Sequence, residues 1–226
     1  MELEADLDLS KLHEYTKEQD HKKIIKMSHF TFEILDKICQ FIRPGVKESE
    51  VIKYCYEVYE KHEIDRIWHK PFIRFGKHTI TTFRDVPTED LTFTKDDIAY
   101  LDIGIVKNGI EGDAGKTISY SDNSIHKEII FLTKDLFAQA KMFWQDNKVT
   151  GIELYDFIET KTKESGYLLN LKPAGHLIGS FPHAKAKYKD GLSRYPDMVE
   201  PYQWLLEIQI RHPTLDIGGF YEEVLG

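Results

Sequence analysis

The apolar residues Ile24, Met27, Ile34, Ile38 and Phe41 recur at roughly helical spacing, which predicts a long amphipathic helix from Lys17 to Arg43 that Pro44 and Gly45 bring to an end. A second helix is expected from about Glu48 to His62, with Val51, Cys55 and Val58 on its buried face. A polar turn then leads into the aromatic-rich stretch from Ile67 to Phe83, which reads as strand. Asn108-Gly109 lies between the apolar runs IAYLDIGIVK and IEGDAGKTISY and supplies the two positive-φ residues of a type I′ turn, so the two runs are expected to pair as a hairpin. Helical spacing returns in Ile129, Leu132, Leu136, Ala140 and Phe143, between Ile125 and Asn147. Thr150 and Glu153 form a capping box that opens a further helix ending near Gly166. From Tyr167 onward short apolar strands alternate with a polar loop at about Ala184 to Pro201.

Together these elements predict an α+β domain in which two helix pairs pack on the outer face of one curved antiparallel sheet. The stretches RPGVKESEVIKYCYEVYEKH and NKVTGIELYDFIETKTKESG share a turn, a helix of similar length and a following strand, which suggests two related halves. Residues 1–16 are acidic and poor in periodic apolar positions, so they read as a loose lead-in or a short docking helix ahead of the main domain over 17–226.

Composition narrows the function classes. The 226 residues are 41% hydrophobic, enough for one substantial core, and a formal net charge of −8 gives no electrostatic support to a nucleic-acid role. Cys39 and Cys55 both fall in predicted helices, which suits neither a disulfide framework nor a Cys-based zinc site and fits a reducing compartment. No run of about 18 apolar residues occurs and no basic start precedes an apolar stretch. A cytoplasmic protein without a membrane partner is therefore expected.

The hairpin carries the most informative chemistry. With Asn108 and Gly109 as a two-residue loop, Lys107 faces Ile110, Asp102 faces Gly115, and Asp113 falls one diagonal step from Asp102 on the same face. An unpaired carboxylate in such an apolar strand costs several kcal/mol to desolvate, so two converging there call for compensation. A neighbouring Lys or Arg would serve for one Asp; a shared cation serves for both. His176 in PAGHLIG, Glu207 in WLLEIQI and Glu222 in GGFYEEVLG are further polar residues set in apolar stretches. Four carboxylates and one imidazole suit two divalent ions such as Mn, Co, Fe or Zn.

The segments LDIGIVKNGIEGDAGKT, AGHLIGSFPHA, LLEIQI and GFYEE resemble, in the same order, the metal-binding motifs of the pita-bread metallopeptidases, the methionyl and Xaa-Pro aminopeptidases. That resemblance implies a pita-bread fold and a two-metal site. Asp102 would chelate one ion, Asp113 and Glu222 would bridge both, and His176 with Glu207 would complete the second. It also implies that His183 contacts the scissile carbonyl and that Glu207 relays a proton. Glu223 competes with Glu222, because a one-residue slip of the strand exchanges its faces.

The resemblance has gaps. Active family members carry a histidine shortly before the first metal Asp, whereas TTFRDVP offers Phe83, Arg84 and Asp85; Ala184 stands where an acidic residue is common, and Ile208 where a Pro is usual. Arg84 stays protonated at working pH and cannot replace a neutral imidazole, and His78 could do so only in a different register. Arg84 and His78 are thus candidates for contact with substrate, while His62, His69 and His212 are taken as surface or packing residues. The resulting expectation is an aminopeptidase-like hydrolase that removes an N-terminal residue, Xaa-Pro-like or methionyl, with no nucleic-acid partner and compatible with a homodimer. The alternative is a family member that keeps its metal but acts on another small molecule or binds a partner.

Overall fold

The computed structural model describes residues 9–171, 174–182 and 191–226, with side chains from Asp20 onward. Helices α1 (Leu9–Phe41) and α2 (Glu48–Lys61) precede strands β1 (Arg66–Phe75), β2 (Ile98–Lys107) and β3 (Ile110–Ser119). Helices α3 (Ser124–Asn147) and α4 (Gly151–Glu164) precede β4 (Leu168–Asn170), β5 (His176–Leu177), β6 (Trp204–Arg211) and β7 (Gly218–Val224). The antiparallel sheet runs β1-β2-β3-β7-β6-β4, with β5 also on β6. Each half of the chain thus contributes a long helix, a shorter helix and one flank of the sheet, as the two similar stretches suggest.

Alternation sorts every strand into two faces. In β2, Ala99, Leu101, Ile103 and Ile105 join Ile34, Leu35 and Ile38 of α1 and Val51, Cys55 and Val58 of α2 in one buried cluster. In β6, Trp204, Leu206, Ile208 and Ile210 join Ile129, Leu136 and Trp144 of α3 and Leu154 and Ile158 of α4 in a second. All four helices therefore back the same face. The intervening residues Tyr100 and Asp102 of β2, and Glu207 and Gln209 of β6, are left for the opposite, concave side, where they line one cavity.

The hairpin forms as expected. Asn108 and Gly109 take φ of 52° and 72°, and the register pairs Lys107 with Ile110, Asp102 with Gly115 and Gly104 with Asp113. Helix α4 starts at the expected box: Glu153 N donates to Thr150 Oγ1, and Thr150 N donates to the Glu153 carboxylate. Helix α2 has only the second half of such a box, Lys47 N donating to Glu50, since a lysine side chain accepts no hydrogen bond. Cys39 and Cys55 are buried free thiols, pushed up to about 12 by burial.

Two boundaries differ from expectation. Helix α1 begins at Leu9, inside the stretch expected as a lead-in or short docking helix, and no Pro or Gly interrupts the run from Leu9 to Arg43; residues 1–8 lie outside the described part. The strand expected to reach Phe83 ends at Phe75, whose N–H is taken by the buried Glu48 carboxylate, and Gly76–Ile80 winds into a 3-10 turn. Among the described residues no helix is long and apolar enough to cross a membrane.

Thr150→Ala removes the side-chain acceptor at the start of α4 and is expected to cost about 1 kcal/mol. Urea denaturation should show this as a lower midpoint at unchanged slope; an unchanged midpoint would mean that packing alone fixes this helix end.

Candidate metal centre

The concave face assembles its polar residues by register. Asp102 of β2 pairs with Gly115 of β3, Gly115 with Glu222 of β7, and Glu222 with Glu207 of β6, so one row across the sheet carries three carboxylates and a glycine. Asp113 sits beside that row, and His176 reaches it from β5, which pairs with β6 through Leu205. Glycine at the crossing points is a steric requirement: a Cβ on Gly115 would lie 2.3 Å from Phe220 and 2.7 Å from Glu222 Oε1, and one on Gly104 would lie 2.1 Å from the His69 ring.

All five expected ligands meet here. His176 Nε2 is 3.1 Å from Asp113 Oδ2 and 3.8 Å from Glu207 Oε1. Asp113 and Glu222 are each 1% exposed and Glu207 9%. The strand-slip alternative at the chain end is decided by this register: Glu222 faces the cluster, while Glu223 faces the helices and accepts from the Tyr221 hydroxyl at 2.7 Å.

A sixth residue joins them that the sequence reading took for a packing residue. His69 Nε2 lies 3.3 Å from Asp113 Oδ1 and 3.4 Å from Asp102 Oδ1. Ligand atoms of His69, Asp102 and Asp113 all fall within 4.8 Å of one another. The period-two signal fails in β1 because the register shifts on both sides of His69. The usable signal lies on the partner strand, where Gly104 breaks an apolar run opposite His69.

Electrostatics marks the cluster as incomplete on its own. Burial pushes Asp102 up to about 7 against the pull of the His69 imidazole, and pushes Glu207 up to about 8 against that of His176. Burial, then the charges of Asp102, Asp113 and Glu207, holds Glu222 well above the usual carboxylate range. Asp113 is the exception: burial opposes its ionisation, but the flanking imidazoles of His69 and His176 outweigh it and hold it at about 2. Burial likewise works against both imidazolium ions, yet Asp102 and Asp113 lift His69 to about 10, and Asp113 and Glu207 lift His176 to about 9. Asp102 Oδ1 and Glu222 Oε1 are buried with no donor within reach except each other's carboxyl. Two carboxyl groups with only each other as partner, set among further carboxylates and imidazoles, fit divalent cations.

A cavity of about 270 Å³ opens over the cluster, with Trp68, Phe72, Phe83, Tyr100 and Phe220 forming its apolar wall. Beyond His176, Glu207 and Phe83 it meets a wider one of about 630 Å³ lined by Arg84, Asp156, Glu159, Ser193 and Arg194. Arg84 is exposed there with its guanidinium over the Phe83 ring. The segment carrying both is tied down through Thr81, whose carbonyl accepts from Tyr100 Oη at 2.9 Å and Gln209 Nε2 at 2.8 Å. His78 is not brought to the cluster: it is buried with Nδ1 2.9 Å from the Glu48 carboxylate, and it lines neither cavity. His183 and Ala184 lie outside the described residues.

The sequence profile of metallopeptidase family M24 matches residues 22–203, ending before Glu207 and Glu222, whose positions come from the sheet register. The methionine aminopeptidase of Buchnera aphidicola subsp. Acyrthosiphon pisum (strain APS) is 24% identical over 174 residues, which make up 72% of this chain and 63% of that protein. The chain thus spans less than two thirds of the length of this curated relative. Among solved structures, the X-Pro aminopeptidase from Thermotoga maritima MSB8 superposes with a TM-score of 0.70 at 16% identity, over 91% of this chain and 57% of that one. The methionine aminopeptidase from Thermotoga maritima gives 0.69 at 14% identity, over 90% of this chain and 91% of its own. The prolidase from Pyrococcus furiosus gives 0.68 at 19% identity, over 90% and 60%. At these identities the structural likeness establishes a shared pita-bread fold, and with a profile that matches most of its length the chain belongs to metallopeptidase family M24.

Proposed function

We propose that this chain is a metal-dependent hydrolase that removes the N-terminal residue of a short peptide, with two divalent ions (Mn, Co, Fe or Zn) held by Asp102, Asp113, His176, Glu207 and Glu222. The observation that carries the reading is the convergence of four carboxylates and two imidazoles on one cavity, where Asp102 Oδ1 and Glu222 Oε1 are buried with no donor but each other's carboxyl. Divalent ions at such a site supply Lewis acidity: they polarise a carbonyl and bring the ionisation of a water close to neutral pH.

The chain's own groups have separable tasks in this scheme. Glu207, ionised as a ligand in this set, accepts a proton from the attacking water and returns it to the departing amine. His183 donates to the developing oxyanion. The apolar wall of Trp68, Phe72, Tyr100 and Phe220 receives the side chain of the residue being released and keeps bulk water away from the reacting carbonyl. This wall is compatible with either a methionyl or a proline-containing terminus.

A second reading is favoured by the wider cavity. Arg84 at its edge, with Arg194 nearby, suits a substrate carboxylate, which would limit the enzyme to dipeptide-sized or other small acidic substrates.

Metal analysis of protein purified without chelator, followed by assays on peptides beginning Met-Xaa or Xaa-Pro, tests the main reading; bound metal with no release of any N-terminal residue would sink the peptidase assignment. Asp113→Asn is expected to lose at least one ion per chain and to lower kcat/KM by 100-fold or more. His183→Ala should keep its metal and lose about 100-fold in kcat; full turnover would remove His183 from the scheme. Arg84→Ala should raise KM about tenfold or more for dipeptides while leaving longer peptides unaffected, and equal effects on both would count against the carboxylate role.

A further inference from the structure

The motif-based ligand set gives the ion at Asp102 oxygen ligands alone, from Asp102, Asp113 and Glu222. We propose that His69 adds a nitrogen ligand to that ion through Nε2. This inference rests on the two-ion reading above and extends it to a residue outside the family's motifs.

The first ground is an internal comparison between the two histidines of the cluster. His176 has Nδ1 2.7 Å from the Leu177 carbonyl and Nε2 3.1 Å from Asp113 Oδ2. His69 has Nδ1 2.8 Å from the Lys70 carbonyl and Nε2 3.3 Å from Asp113 Oδ1. In both, the carbonyl belongs to the next residue along the chain. A carbonyl can only accept, so Nδ1 carries the proton in each ring and the lone pair of the neutral ring sits on Nε2, facing the carboxylates. An outer N–H anchored on a carbonyl is the usual arrangement behind a metal-ligating imidazole. The two rings thus flank Asp113 in the same manner, one on each carboxylate oxygen.

Spacing is the second ground. Bonds of about 2.0–2.2 Å at right to tetrahedral angles set neighbouring ligand atoms about 3–3.5 Å apart. His69 Nε2 stands 3.3 Å from Asp113 Oδ1 and 3.4 Å from Asp102 Oδ1. The His69–Asp102 and His69–Asp113 separations are those of neighbouring ligands on one ion.

The third ground is that the fold makes room for this ring. Only a glycine at 104 lets the imidazole lie across β2, since a Cβ there would stand 2.3 Å from Nε2 itself. Trp68 then fixes both histidines edge-on, with ring centroids 4.7 Å from His69 and 4.9 Å from His176. A nitrogen ligand on this ion would move the preference toward Zn, Co or Fe and away from purely oxygen-loving ions.

The decisive measurement counts imidazole nitrogens on the bound ion. Protein stripped of metal and given less than one equivalent of Mn²⁺ is examined by pulsed EPR for nitrogen coupling. His176→Ala is expected to keep an imidazole coupling, and the double variant with His69→Gln to lose it; His69→Gln alone should bind Mn²⁺ about tenfold or more weakly. If His176→Ala binds Mn²⁺ without nitrogen coupling, His69 merely hydrogen-bonds Asp113 and the proposal falls while the two-ion reading stands. If wild-type protein binds none of Mn²⁺, Co²⁺ or Zn²⁺, both fall together. Should His176→Ala not fold, X-ray absorption on fully Zn-loaded protein makes the same count: two imidazoles per ion pair in wild type and one in His69→Gln, with two in both overturning the proposal.

Discussion

Repulsion among four carboxylates confined to one dry patch of sheet is the constraint around which this domain is organised. Two like charges about 4 Å apart interact by roughly 4 kcal/mol at the effective dielectric of a protein site, and Asp102, Asp113, Glu207 and Glu222 line one small cavity. The response is uneven. Asp102, Glu207 and Glu222 are driven toward their neutral forms by burial, whereas Asp113 keeps its charge because an imidazole stands against each of its oxygens. Asp113 is therefore the negative centre about which the other groups are disposed.

Holding such a cluster together requires a rigid support, and the alternation of the strands supplies it. Behind the polar row, Leu101, Ile103, Leu206 and Ile208 are fully buried in two clusters built with the four helices. A strand that slipped by one residue would exchange these side chains for Asp102 or Glu207 and place charge against the helices. The apolar side thus enforces the register that the acidic side, left to itself, would oppose.

How far the sequence could be read follows from the same physics. The positive-φ pair Asn108-Gly109 fixed the register of β2 with β3 and with it the convergence of Asp102 and Asp113, because a two-residue turn leaves no freedom in pairing. The box at Thr150 located the start of α4 for a similarly local reason. His69 was not legible: irregular pairing on both sides of it defeats alternation, so its direction depends on the neighbouring strand and not on its own. The end of β1 was missed because a side chain distant in sequence, Glu48, captures the N–H of Phe75. His78 looked like a candidate by position alone, and it is the same Glu48 that holds it away from the cavity. Family resemblance brought His176, Glu207 and Glu222 together, which no spacing rule could have done across the chain separating them from Asp102.

The joint between β3 and β7 has a mechanical meaning. These strands share two register pairs, Gly115 with Glu222 and Lys116 with Tyr221, and beyond them Thr117 Oγ1 takes over, accepting from Phe220 N and donating to Phe220 O. Asp102, Asp113 and His69 lie on one side of this narrow seam; His176, Glu207 and Glu222 lie on the other. Any small opening or twist between the halves of the molecule is thus delivered directly to the gap between the two groups of side chains, and the ions proposed here would tie those halves together across the seam.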